Sequence, residues 1–282
     1  MVLIEEVMTN NPIVVQIPGN RNEVLKTMVK HNLTGLPVVK RSDGSLAGMI
    51  TRQDIFEKAE EDQLALVMNK NPVIIGPKDS INHAARVFLE DGVQHLPVAE
   101  EDRLVGIVTP TNLLSAVESG VIEVFVDDVI RSPCVPIHQE APLAVALVTF
   151  RVSRVNALPV LDDAGKLSGI LTDRDIFNKS QINGSMAMAD LGIGQDEDDW
   201  TWEGLRNVIK LWYEVSKIDI PNLPVKDIMI PDPITVFSKT MVSEAARIMR
   251  KNDFGQLPVR DSKDRLHAML YDVDVISVLA EV

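Results

Sequence analysis

Apolar residues at Val24, Leu25 and Met28, in the polar stretch "NRNEVLKTMVKHN", fall on one face of a helix. Ile81, Ala84, Ala85 and Phe88 repeat the spacing, with Ser80 placed to cap the start and Gly92 to end it. "PLAVALVTF" from Pro142 and "TMVSEAARIMRKN" from Thr240 carry the same pattern. Each of these helices is followed by β-rich runs. "LPVVKRSDGSLAGMIT" alternates around Asp43-Gly44, a hairpin signal, and "LPVLDDAGKLSGILT" has the equivalent loop. With the short strand "NPIVV" ahead and a helix starting near Thr51, Thr109 or Thr172, the pattern predicts an α+β unit ordered strand, helix, strand, strand, helix.

The unit is written four times. Leu-Pro-Val recurs at Pro37, Pro97, Pro159 and Pro258, with a bulky apolar residue nine positions earlier (Met28, Phe88, Phe150, Met249). Thr51, Thr109, Thr172 and Tyr271 come 12 to 14 positions later. The openings also match, as "VMTNNPIVV", "VMNKNPVII", "VIRSPCVPI" and "IMIPDPITV", the third being one residue shorter. A unit of this size buries too little surface to stand alone. Pairing is therefore expected, with repeats 1–60 and 61–120 in one module and 121–177 and 224–282 in a second, separated by an insertion at 178–223. Small residues such as Ala84, Ala85, Ala245 and Ala246 suit close helix packing between units.

Charge and composition remove several classes. A net charge of −13 argues against nucleic acid as the main partner, since duplex binding depends on basic residues. One cysteine makes no internal disulfide, and five scattered histidines suggest no metal cluster. No apolar run reaches a membrane span, and "MVLIEEVM" is too short and acidic for a signal peptide, so a cytoplasmic protein without membrane insertion is expected. No unit carries a nucleophile and base, a paired acid and base, or a P-loop, which argues against an enzyme and a catalytic cofactor.

The element order, the "MTxxP" opening, the Leu-Pro-Val strand and the Gly-apolar-apolar-Thr-x-x-Asp close resemble CBS domains, named for the regulatory region of cystathionine β-synthase. The resemblance covers the chain apart from the insertion. It implies two Bateman modules, forming a disc within one chain or between two in a homodimer, as in stand-alone archaeal CBS proteins and the γ subunit of AMP-activated kinase. It also implies binding of AMP, ADP, ATP or S-adenosylmethionine as a regulatory ligand between units, with occupancy relayed to an unidentified partner protein.

The residues support this independently. In "GMITRQDI", Gly48 permits close approach, Thr51 begins a helix, and Asp54 lies one turn along it. A helix start favours phosphate, and a carboxylate beside it can accept from both ribose hydroxyls. Thr172 and Asp175 repeat the arrangement, and Arg52 and Arg174 are placed for charge-assisted phosphate contacts. The resemblance places adenine near Thr9 and Ile13 in the first repeat and near Cys134 in the third. Repeat two has Thr109 but Asn112 in place of the carboxylate. Repeat four keeps Asp274 but has Ala268 and Tyr271, which marks it as a structural copy or a partly filled site. Arg131 stands where repeat one has Thr9, facing either a phosphate or solvent.

Other readings stay open. Thr-x-x-Asp is also a capping box. His95 is read as packed or exposed rather than phosphate-binding, and the remaining histidines as surface residues. Within the insertion, a helix over 200–217 with Trp202, Leu205, Ile209 and Trp212 on one stripe either covers the chain's own flank or docks a partner. The overall acidity leans mildly toward S-adenosylmethionine or methylthioadenosine as the ligand. A purely structural scaffold is the remaining alternative.

Overall fold

A computed structural model describes residues 2–58, 61–120, 122–176 and 223–281. The expected helix over 200–217 lies outside the described residues. Repeat one comprises α1 (Ile4–Val7), β1 (Thr9–Asn10), β2 (Val15–Ile17), α2 (Arg21–Lys30), β3 (Gly35–Lys40), β4 (Leu46–Thr51) and α3 (Arg52–Glu57). Repeat two comprises α4 (Leu64–Val67), α5 (Ile81–Asp91), β5 (Leu96–Glu100), β6 (Arg103–Val108) and α6 (Pro110–Ser119). Repeat three comprises α7 (Val126–Val129), β7 (Ile137–His138), α8 (Leu143–Ser153), β8 (Ala157–Leu161) and β9 (Leu167–Thr172), and enters a helix at Asp173. Repeat four opens on a 3₁₀ turn at Val225–Asp227. It continues through β10 (Ile230–Pro231), β11 (Val236–Phe237), α9 (Val242–Asn252), β12 (Gln256–Arg260), β13 (Leu266–Tyr271) and α10 (Asp272–Ala280).

The Leu-Pro-Val strand organises each sheet. In repeat one it is β3, with β2 parallel on one side (Val15 opposite Val38) and β4 antiparallel on the other (Pro37 opposite Met49). Repeat three copies this with β7 and β9 flanking β8. A register shift comes after the tripeptide's valine in repeats one to three, at Val38, Val98 and Val160. Such a bulge bends the strand and increases its twist. The antiparallel partner, β4, β6 or β9, runs directly into the helix whose start concerns the site.

The chain divides into two compact units. Among the described residues, one holds 2–58, 61–120, 122–132, 237–256 and 270–281, the other 133–176, 223–236 and 257–269. In the first, α9 packs on α6, and α10 packs on α5 and α6. The small residues permit this approach: Ala84, Ala85, Ala245 and Ala246 are fully buried together with Phe88, Leu113, Leu114 and Met249. The end of α10 is tied down as well, since Asn82 Nδ2 donates to the Leu279 carbonyl at 2.8 Å. In the second unit the core gathers Leu143, Ala146, Leu158, Val160 and Leu171. Among the described residues, no helix is long and apolar enough to cross a membrane.

Candidate functional site

All four repeats build the same helix start. Thr51 donates its backbone N–H (2.7 Å) and its hydroxyl (2.6 Å) to Asp54 Oδ2. Thr172 does the same toward Asp175 Oδ2, at 2.8 and 2.6 Å. In repeat two Asn112 Oδ1 accepts from Thr109 N and Oγ1 at 2.8 and 2.9 Å, and in repeat four Asp274 Oδ2 accepts from Tyr271 N at 3.0 Å. The capping box is thus real, and it does not exhaust the carboxylates. Asp54 and Asp175 are half-buried, and their Oδ1 atoms have no hydrogen-bond partner among the described residues. Asn112, with its oxygen committed to the cap, presents only an NH2 donor there.

The glycine three residues before the capping threonine has a definite task. The opening segment of a different repeat crosses β4, β6 or β9 at that point. Asn69, from the opening of repeat two, exchanges backbone hydrogen bonds with Met49 at 2.9 and 2.8 Å, and a Cβ on Gly48 would lie 2.3 Å from the Asn69 carbonyl oxygen. Reciprocally, Thr9 and Asn10 pair with Ile107 and Gly106. Ile230 and Pro231 of repeat four pair with Ile170 and Gly169. Thr9 therefore stands beside the helix start of Thr109 and Asn112, and Asn69 beside that of Thr51 and Asp54. The family resemblance groups Thr9 and Ile13 with the first repeat's own site, whereas in the structure Thr9 lies against the strand of the second. Ile13 is more than a third exposed (37%), and Ile234, its counterpart after the fourth opening proline, nearly half (47%), so apolar side chains stand open there.

The two arginines differ. Arg174 is half-buried, whereas Arg52 is buried at 4% exposure and sits beside His95. His95 Nε2 shares a 2.9 Å hydrogen bond with Thr34 Oγ1, and its ring packs so tightly on Gly35 that a Cβ there would lie 2.8 Å from Cε1. The residue keeps some exposed surface, but its Nδ1 is sealed from solvent without a partner. Burial, reinforced by the Arg52 charge, holds the imidazole down at about 4, so it is neutral. His95 is thus a packed residue rather than a phosphate ligand.

Repeat four has a different interior. Asp272 occupies the position of Arg52. Its Oδ2 accepts the Thr111 hydroxyl at 2.9 Å, and burial pushes its carboxyl up to about 6. Arg131 turns its guanidinium to Glu281 at 3.1 Å on the surface, while its backbone N–H donates to Asp274 Oδ1 at 3.2 Å. Cys134 is half-buried and its thiol is raised by burial. The sequence pattern does not single out Thr34, Asn69, Thr111, Ser132 or Asp272. It holds only two signals for them: the shortened opening at "VIRSP", and Asp272 after Tyr271 where Arg52 comes after Thr51. Among the described residues no group of three His, Cys, Asp or Glu side chains is placed to hold a metal.

Four copies of one α+β unit, each with a capped helix start at the end of its last strand, define a tandem-repeat protein with one equivalent position per repeat. The chain belongs to the CBS domain family, whose model matches it at residues 4–61, 63–119, 126–181 and 225–281. The crystal structure of protein MJ1225 from Methanocaldococcus jannaschii superposes with a TM-score of 0.77 at 23% identity, covering 99% of this chain and 100% of that one. An uncharacterized conserved protein from Pyrococcus horikoshii gives 0.67 at 23%, with the same coverage. These two likenesses concern the fold. In sequence, the inosine-5'-monophosphate dehydrogenase of M. jannaschii is 30% identical over 171 residues, 60% of this chain but only 33% of that enzyme.

Proposed function

We propose that this chain is a non-catalytic sensor of an adenosine-containing ligand, held at the helix starts of repeats one and three, whose occupancy is relayed to a partner protein. The observation carrying this reading is the division of labour within Asp54 and Asp175. One oxygen ties the cap and the other remains open on a half-buried residue, an acceptor suited to a ribose diol. Thr51 and Thr172 offer a helix start to a phosphate. Arg174 adds a charge within reach of solvent, and Arg52 lends its charge from inside. The apolar face at the opening of the partnering repeat, at Val73 for the first site and Ile234 for the third, suits the adenine ring. The crossing of openings between repeats one and two, and from four to three, supports modules at 1–120 and 121–282.

Calorimetric titration of ligand-stripped protein with AMP, ADP, ATP and S-adenosylmethionine tests this. Binding at one or two sites, reduced by Asp54→Asn and abolished by Asp54→Asn with Asp175→Asn, is the expected result. Preference for S-adenosylmethionine, which the burial of Arg52 would accommodate, moves the reading to methyl-group metabolism. Silence with all four ligands leaves a structural scaffold and ends the proposal.

A further inference from the structure

Asp274 keeps the backbone part of the cap seen at Asp54 and Asp175, without the hydroxyl that Thr51 and Thr172 add, and has no open oxygen. Its Oδ1 accepts three hydrogen bonds from the opening of repeat three: Arg131 N at 3.2 Å, Ser132 N at 3.2 Å and Ser132 Oγ at 2.9 Å. Oδ2 is held by Tyr271 N at 3.0 Å. The residue is 1% exposed. In the other three repeats the opening segments, at Thr9, Asn69 and Ile230, engage the adjacent strand through their backbones instead. The cause is legible in the chain. The opening of repeat three is one residue shorter, so Arg131 and Ser132 meet the helix start with two successive N–H groups and a hydroxyl, the donor set that a diol and its surroundings would bring.

We infer that Arg131 and Ser132 form a built-in plug at the fourth repeat, with the Ser132 hydroxyl standing in for a ligand hydroxyl on Asp274. The inference rests on the proposed role of the open oxygens at Asp54 and Asp175, and it limits ligand binding to the other repeats. It also gives the segment between repeats two and three an anchor. α7 packs on α10, and Arg131 reaches Glu281 beyond the far end of that helix, so the plug is held at both ends of α10. Burial leaves the Asp274 carboxyl raised on balance, against the four donors that hold it as an acceptor.

Residue-resolved amide hydrogen exchange on the full chain, without ligand and with saturating AMP, tests the plug. Arg131 and Ser132 are expected to exchange roughly a hundredfold or more slower than open amides in both conditions. Asp274→Asn keeps the Tyr271 cap through its oxygen but turns an NH2 toward two N–H donors, and should abolish that protection. Should this variant fail to fold, Ser132→Ala removes only the hydroxyl and should speed exchange at both amides by roughly tenfold. Fast exchange of both amides in the ligand-free chain, or protection that AMP abolishes, would overturn the plug. AMP that leaves the amides around Thr51 and Thr172 unchanged would instead count against the proposed function, with the plug still read from the ligand-free data.

Discussion

Thr111 donates its hydroxyl to Asp272 Oδ2 at 2.9 Å, joining the start of the second repeat's last helix to that of the fourth. The carboxylate it meets is buried and raised to about 6. A carboxyl whose folded pKa exceeds its unfolded value contributes stability that is fully present below the unfolded pKa, near 4, and is lost as pH rises through 6. The shift corresponds to about 3 kcal/mol. Asp272→Asn should therefore match the parent at pH 4 and exceed it by up to this amount at pH 7.5, as measured by urea unfolding.

His95 works in the opposite direction. Its folded pKa of about 4 lies below the usual value, so its contribution is present above pH 6.5 and lost as pH falls toward 4. His95→Gln, which can still bond Thr34, should lose less stability on acidification than the parent, by up to about 3 kcal/mol. Between pH 4 and 6 the two groups offset each other. Each single variant should accordingly expose a slope that the parent conceals, and parallel pH profiles for all three proteins would refute the assignments.

Asparagine at position 54 separates capping from ligand binding. Asn112 demonstrates that an amide can close this box. Asp54→Asn should thus unfold at the parent's denaturant concentration yet bind AMP at least about tenfold more weakly, since an NH2 replaces the open oxygen. Asp54→Ala should lose about 1 kcal/mol of stability in addition. Equal AMP affinity in the parent and Asp54→Asn would remove Asp54 from the site.

The reverse change should add a site. Asn112→Asp retains the cap and supplies a second oxygen beside Thr9. An increase in AMP stoichiometry, or a weak second isotherm in calorimetry, is the expected outcome. No change would mean that the amide is not what closes repeat two.

Gly48→Ala places a methyl 2.3 Å from a backbone carbonyl that is fixed by pairing with Met49. The strand must shift, at about 1–3 kcal/mol. At Gly169 the nearest atom is the Met229 Sδ at 2.5 Å, the movable part of a flexible side chain, with the Ile230 carbonyl at 3.0 Å. Gly169→Ala should cost less, and repeat four already carries Ala268 at the equivalent position. Urea unfolding of the two variants ranks them.

The repeat unit, its element order and its helix caps are legible in the chain because each is encoded locally. Ser80 and His83, or Thr51 and Asp54, lie three residues apart and declare themselves by type and spacing. Which opening meets which helix is not legible in this way. The family resemblance assigns Thr9 to its own repeat's site, and the structure sets it beside the motif of the next. The contact between Ser132 and Asp274 spans 142 residues and leaves only a one-residue shortening as its trace. Nor does position alone separate Arg52 from Arg174, since Arg52 is buried beside His95 of the second repeat, 43 residues along the chain, where the ring packs on Thr34 and Gly35.

The crossing of Asn69 over Gly48, matched by Thr9 over Gly106, bears on the chain's genealogy. A repeat that arose or disappeared singly would leave one glycine-bearing strand with its edge bare and one opening segment with nothing to cover, a pairing hazard in any chain. Such arrays are therefore expected to grow and shrink by twos, with the pair as the smallest inheritable step.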